Sequence, residues 1–221
     1  MDEAIGALNQ RLRESPMDSR SRTFLFELLC FNGELDRAEK QLDILGDENA
    51  DTRIGAWMYR SALQAERTRQ EMFREETFPS AEPPASPSGT LNGEPFESIE
   101  DLDPRIGSRV EVFAAGQYTW IPFRHLARIT LEPPRRLRDT LWAPAHMTAG
   151  PDLRDMELGE VLLPAVYALS YRSPDGDVRL GRTTAVMEDG DTEMPVGARL
   201  LLVDGEAVPL LEVRELVIDG S

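Results

Sequence analysis

Residues 27–42, ELLCFNGELDRAEKQL, decide how the first third of the chain reads. Phe24, Leu28 and Phe31 fall on one stripe at helical spacing, and Leu25 and Leu29 fall on the stripe beside it. So wide an apolar face implies a helix buried between neighbours. Asn32-Gly33 stops that helix, because glycine accepts the left-handed backbone of a helix end. Leu35, Ala38, Leu42 and Leu45 then resume the same period in a further helix that closes at Gly46.

A tight turn at Gly33 followed by small Ala38 and apolar Leu42 resembles the helix–turn–helix of a tetratricopeptide repeat, where a small residue lets paired helices approach. The Trp and terminal Pro of that repeat are missing, and no second copy follows. Upstream, Ile5, Leu8 and Leu12 mark a short amphipathic helix, and Ser15-Pro16-Met17-Asp18 reads as a helix start with Ser15 as its cap. Downstream, Ile54, Trp57, Met58, Ser61, Ala65, Thr68 and Met72 share one face of a longer helix. Residues 1–78 are therefore expected to form a small helical, repeat-like domain.

Residues 79–97 read as a linker, since PSAEPPASPSGTLNGEP is dominated by Pro, Ser, Gly and other small or acidic residues. From 98 to 221 the pattern shifts to short runs of period two. SRVEVFAA and YTWIPF flank a turn at Ala115-Gly116-Gln117. ARITLE, EVLLPAVYALS, DVRLGRTTAVM, ARLLLVDG and AVPLLEVRELVI are further strand candidates, with Asp175-Gly176 and Asp204-Gly205 as tight turns. FRHLARI adds one helical turn. The fold class is α+β, with a helical domain followed by a mainly β domain.

The chain has 221 residues, with 40 Asp and Glu against 24 Lys and Arg, a net charge of −16. Phosphate-neutralising surfaces need the opposite sign, so nucleic acid and anionic membranes are poor partners. No apolar stretch approaches the ~20 residues of a membrane helix. The acidic, polar beginning MDEAIGALNQRLRESP is unlike a signal peptide, so the cytoplasm is expected. The single cysteine, Cys30, sits in the apolar run FELLCF as a small buried hydrophobe.

Catalytic and cofactor motifs are missing. There is no GxSxG, GxxxxGK[ST], HExxH or GxGxxG, so neither a cofactor nor a metal site is assigned. His125 and His146 stand 21 positions apart. Glu111, Asp139, Asp152 and Asp155 offer carboxylates, yet spacing alone gives no acid–base pair. GDVRLGRTT and Glu188-Asp189-Gly190-Asp191 lack the ligand ladder of a calcium loop and read as solvated turns.

Between 124 and 138, Arg124, His125, Arg128, Arg135, Arg136 and Arg138 form a basic strip against the single Glu132. These arginines pair with internal carboxylates, receive an acidic segment of a partner, or form a nucleic-acid strip. GQYTWIPFRHLARI, PRRLRDTLWAPAHM, VLLPAVYALS and LGRTT together resemble the ImpE/TagJ family, also called SciE-type virulence proteins, which are accessory proteins of bacterial type VI secretion. The hallmarks are Gly116, Tyr118, Trp120, Pro122 and Phe123, then Pro134, Leu137, Arg138, Asp139, Trp142 and Pro144, and finally Pro164, Tyr167, Gly181, Arg182 and Thr184. In this set Trp120 and Trp142 suit core anchors, and Arg138 and Asp139 suit a structural ion pair.

The resemblance implies a non-enzymatic cytoplasmic adaptor. Such a protein binds the small subunit of the contractile sheath through that subunit's N-terminal helical segment, and is linked to the AAA+ ATPase that disassembles the sheath. An amphipathic segment of this kind lies in an apolar groove. Phe24, Phe31, Trp57 and Met58 are the large apolar candidates for it, and Arg135 and Arg136 are the candidates for an acidic contact. The rival reading is an enzyme acting on a small molecule or modifying a protein within the same secretion cluster. It requires a deep polar pocket where His125 or His146 meets carboxylates. A third is a repeat-domain chaperone for generic peptides.

Overall fold

The computed structural model describes residues 1–46, 50–79, 84–151, 158–189 and 192–219. Four helices open the chain: α1 (Asp2–Glu14), α2 (Ser19–Phe31), α3 (Leu35–Gly46) and α4 (Ala50–Arg74). Helix α2 buries Leu25, Phe26, Leu28, Leu29, Cys30 and Phe31, as its double apolar stripe requires. Gly33 makes the α2–α3 turn at φ +71°. Across that turn α3 packs through Leu35, Ala38 and Leu42, all buried.

The cap of α2 is Asp18 rather than Ser15, which lies at the end of α1. The Asp18 carboxylate accepts the Ser21 Oγ–H at 2.7 Å and the Ser21 N–H at 3.1 Å. Two acceptor oxygens satisfy the open helix end better than one hydroxyl. The Ser21 hydroxyl and backbone, with Arg11, hold this carboxyl at about 2.

Beyond the helices lie thirteen strands among the described residues. They are β1 (Gly89–Leu91), β2 (Glu94–Phe96), β3 (Ile99–Asp101), β4 (Arg109–Ala114), β5 (Gln117–Pro122), β6 (Leu126–Leu131) and β7 (Trp142–Ala149). Then come β8 (Gly159–Pro164), β9 (Thr184–Asp189), β10 (Thr192–Gly197), β11 (Leu200–Val203), β12 (Glu206–Pro209) and β13 (Glu215–Ile218). Eight of them form one antiparallel sheet in the order β2-β1-β13-β6-β7-β8-β4-β5, beside a β12-β11-β3 sheet and a β9–β10 hairpin. The β4–β5 hairpin turns on Ala115 (φ 49°) and Gly116 (φ 79°), and β11–β12 turns on Asp204 (φ 52°) and Gly205 (φ 83°). Two successive left-handed residues match the twist of a tight hairpin. Phe123–His125 forms the single helical turn expected there.

Three expectations are corrected. The stretch 79–97 is not linker throughout, because β1 and β2 occupy most of its second half and join the large sheet. Asn92-Gly93 supplies their turn (φ 52° and 89°). A Cβ on Gly89 would overlap the Val217 carbonyl, so glycine here serves strand contact rather than flexibility. Of DVRLGRTTAVM only the final TAVM is strand, at the start of β9. Asp175 caps a short helix, α5 (Gly176–Arg179), by accepting the Asp177 N–H. EVLLPAVYALS leaves the sheet after Pro164, and only a Val166–Ala198 bridge follows. The Gly190-Asp191 pair and Asp152 and Asp155 lie outside the described residues.

The core is continuous from one half to the other. Leu29, Leu63 and Ala65 of the helices share one apolar cluster with Phe113, Leu141, Trp142 and Val166. The end of α4 meets a further cluster, where Phe73 packs with Ile106, Leu169 and Met194. Phe73, Phe78 and Trp120 pack ring to ring at centroid distances of 5.2–6.0 Å, Phe78 stacked on Trp120 and Phe73 edge-on to Phe78. This contact fixes residue 78 against β5.

Candidate functional site

Helix α4 carries the seam between the halves. Its Arg69 is fully buried and donates Nε to Glu111 Oε1 at 2.8 Å and Nη2 to Glu111 Oε2 at 3.0 Å. The same Nη2 reaches the Val166 carbonyl at 2.9 Å, and Nη1 reaches Glu66. Glu66 in turn accepts from Trp142 Nε1 at 3.2 Å and Gln70 Nε2 at 3.0 Å. Arg199 approaches Glu111 from the other side, bonds the Pro164 carbonyl, and pairs with Asp101 at 2.8 Å. Tyr118 also donates to Glu111.

Burial opposes the Glu111 charge, but Arg199 and Arg69 overcome it and hold this carboxyl at about 2. Glu66 is raised by burial against the pull of Arg69. Every charged oxygen here faces a cation or a donor, as a buried ionic group requires. Glu111, expected as a candidate acid, is thus the anchor of a structural cluster. Its location was legible as a charge inside the apolar run Val110–Phe113, but its partners come from positions 69 and 199.

Above this seam α4 shows an unburied apolar ridge. Ile54, Trp57 and Met58 are 70%, 68% and 46% exposed, at i, i+3 and i+4 on one helix. Beside the ridge runs a groove of about 220 Å³, lined by Trp57, Met58, Ala62, Phe113, Val161 and Leu162, with Gly116 and Pro144 at its edge. The glycine of the β4–β5 turn matters here, since a Cβ on it would press against Ser61 of α4. Phe24 is also partly exposed at 43%. Phe31 is not a surface candidate: it is buried in the helical core, because it faces the helical cluster shared with the β half.

The basic strip divides. Arg135 projects outward and, among the described residues, pairs with exposed Glu132 at 2.7 Å. Arg136 is exposed, and Asp139 accepts its backbone N–H at 2.9 Å and that of Arg135 at 3.0 Å. Arg138 turns inward instead. Its Nη1 donates to Glu27 of α2 at 3.0 Å, and its guanidinium lies 4.7 Å above the Tyr59 ring. The expected Arg138–Asp139 pair is therefore replaced by Arg138–Glu27 across the seam, while Asp139 caps its own turn. Trp142 is buried as expected, and Trp120 is half-buried against Phe73 and Phe78.

His146 is exposed on β7 and pairs with Glu160 at 3.2 Å, while His125 sits in its helical turn beside Arg124. An open groove of about 660 Å³ runs past His146, Glu160, Arg135, Arg136 and Asp139, and does not include His125. No helix of the described residues is long and apolar enough to cross a membrane.

Comparison with known proteins agrees with this layout. Residues 93–217 match the family model described as ImpE protein. The chain is 31% identical to the type VI secretion system accessory component TagJ of Pseudomonas aeruginosa, over 98% of this chain and 86% of that protein. A crystal structure of protein VPA1032 from Vibrio parahaemolyticus superposes with a TM-score of 0.84 at 20% identity, covering all of this chain and 94% of the other. That likeness supports the fold: helices first, then a mainly β region. With the family match spanning more than half its length and the relative matching nearly all of it, the chain belongs to the ImpE family of type VI secretion accessory proteins.

Proposed function

We propose that this protein is a non-enzymatic cytoplasmic adaptor of type VI secretion. It binds the N-terminal helical segment of the small sheath subunit and links it to the sheath-disassembling AAA+ ATPase. The observation that supports this reading is the ridge Ile54–Trp57–Met58 standing beside an apolar groove. Solvating three large apolar side chains at helical spacing is unfavourable, and such patches are usual at protein interfaces. Trp57, with a large face and few rotamers, is the natural anchor, and a partner helix would fill the groove with its own i, i+3 and i+4 residues. The α2–α3 hairpin is read as a repeat-like pair that braces α4 from behind.

Calorimetric titration of the full-length chain with the sheath subunit's N-terminal segment tests this. The reading expects saturable binding that weakens in Trp57→Ala, with folding unchanged. No heat of binding at tens of micromolar overturns it.

A further inference from the structure

The other flank of α4 borders a second groove, of about 650 Å³, and its chemistry differs from that of the first. Phe26, Leu42, Leu45, Ala56 and Leu137 give it an apolar lining, and Tyr59 is the wall it shares with the first groove. Among the described residues its charged groups are Arg20, Arg136, Arg138 and Glu27. Glu27 is already engaged by Arg138. Among the described residues neither Arg20 nor Arg136 forms a salt bridge, although both are exposed. Among the described residues none hydrogen-bonds the buried Nε of Arg138. Among the described residues, a chain with 40 acids and 24 bases therefore lines this apolar groove with two arginines outside any salt bridge and one internal Arg–Glu pair.

We propose that this groove is a second docking site and that its occupant is an acidic amphipathic helix. Apolar side chains at i, i+3, i+4 and i+7 would fill the lining, and Glu or Asp on the flanking faces would meet Arg20 and Arg136. The sign is selective. The remainder of the chain repels acidic segments at long range, so an acidic helix gains where these arginines stand beside the apolar lining, while a lysine-bearing helix of the same apolar pattern is opposed locally. Two grooves sharing α4 give one chain two separate partners, whichever segment the first groove takes.

The test uses two fluorescein-labelled helical peptides with identical leucine anchors, one carrying glutamate and the other lysine at the flanking positions. Fluorescence anisotropy with the full-length chain should show the glutamate peptide binding about tenfold tighter or more, with affinity falling as salt rises. The double variant Arg20→Glu/Arg136→Glu should lose that preference while its circular dichroism and thermal melt stay unchanged, because both side chains are exposed. Trp57→Ala should leave the preference intact. The proposal is overturned by equal affinities, by no binding of the glutamate peptide, by a preference that survives the double reversal, or by its loss in Trp57→Ala. Failure of the sheath segment to bind, with the glutamate preference intact, would overturn the first docking reading and leave this one standing.

Discussion

Arg69 of α4 holds both carboxylate oxygens of Glu111 of β4, at 2.8 and 3.0 Å, with both side chains fully buried. Forty-two positions separate them, so this bidentate pair ties the helical half to the sheet. Removing Arg69 leaves Glu111 and Glu66 short of a cation. Arg69→Met should therefore lower unfolding free energy by ~3–5 kcal/mol in urea titration. Arg69→Lys should recover little, because an ammonium cannot make the forked contact. A loss below about 1 kcal/mol would show that the seam does not depend on the pair.

Acid should weaken the same cluster. Glu111 is held at about 2, below its ordinary 4.5. Its contribution is thus complete above pH 4.5 and is lost as pH falls toward 2, an effect of ~3 kcal/mol. The stability difference between the wild type and Glu111→Gln should shrink over that interval. A difference that is constant from pH 5 to the acid limit would contradict the assignment.

Gly33 makes a second contact between the halves. Its φ is +71°, and a Cβ there would lie 2.6 Å from Tyr171 Cγ, which belongs to the β half. Gly33→Ala combines backbone strain with a clash, and should cost ~1–3 kcal/mol by chemical denaturation. Gly33→Ala in a Tyr171→Ala background should cost less, since the ring clash is gone and only the backbone strain and the 3.1 Å approach to the Cβ of residue 171 remain.

Arg138 and Arg135 should part company. Arg138→Ala strands Glu27 and removes the contact over Tyr59, so its melting temperature should drop by several degrees. Arg135→Glu touches only exposed Glu132 and should leave the melt within about a degree. Equal melts for the two variants would contradict the inward placement of Arg138.

Much of this architecture can be read from local pattern. The stripes of α2 and α3 and the glycines at 33, 116 and 205 appear at the expected places, because periodicity and turn chemistry act over a few residues. What escapes is set partly by distant contacts and partly by local signals that compete with one another. Gly89 and Asn92-Gly93 look like linker until β13 is beside them. Asp175 reads as a hairpin turn until it caps α5. Ser15-Pro16 outscores Asp18 as a cap only when Arg11 and Ser21 are out of view. The same holds at the site. Trp57 and Met58 share a helical face with Ile54, yet that periodicity cannot tell core from surface, and Phe31 proved to be core while Trp57 did not. The Arg69–Glu111–Arg199 cluster left only one local sign, a glutamate amid buried strand residues.

The α4 ridge is the surface on which the proposed partner segment would dock. The direct measurement is calorimetric titration of the sheath subunit's N-terminal segment into the full-length wild type and into Trp57→Ala. Truncating a hot-spot tryptophan typically costs ~2 kcal/mol or more, so affinity should fall about thirtyfold while the thermal melt is retained, because Trp57 is 68% exposed. Unchanged affinity in Trp57→Ala, or no binding by the wild type, would contradict the account.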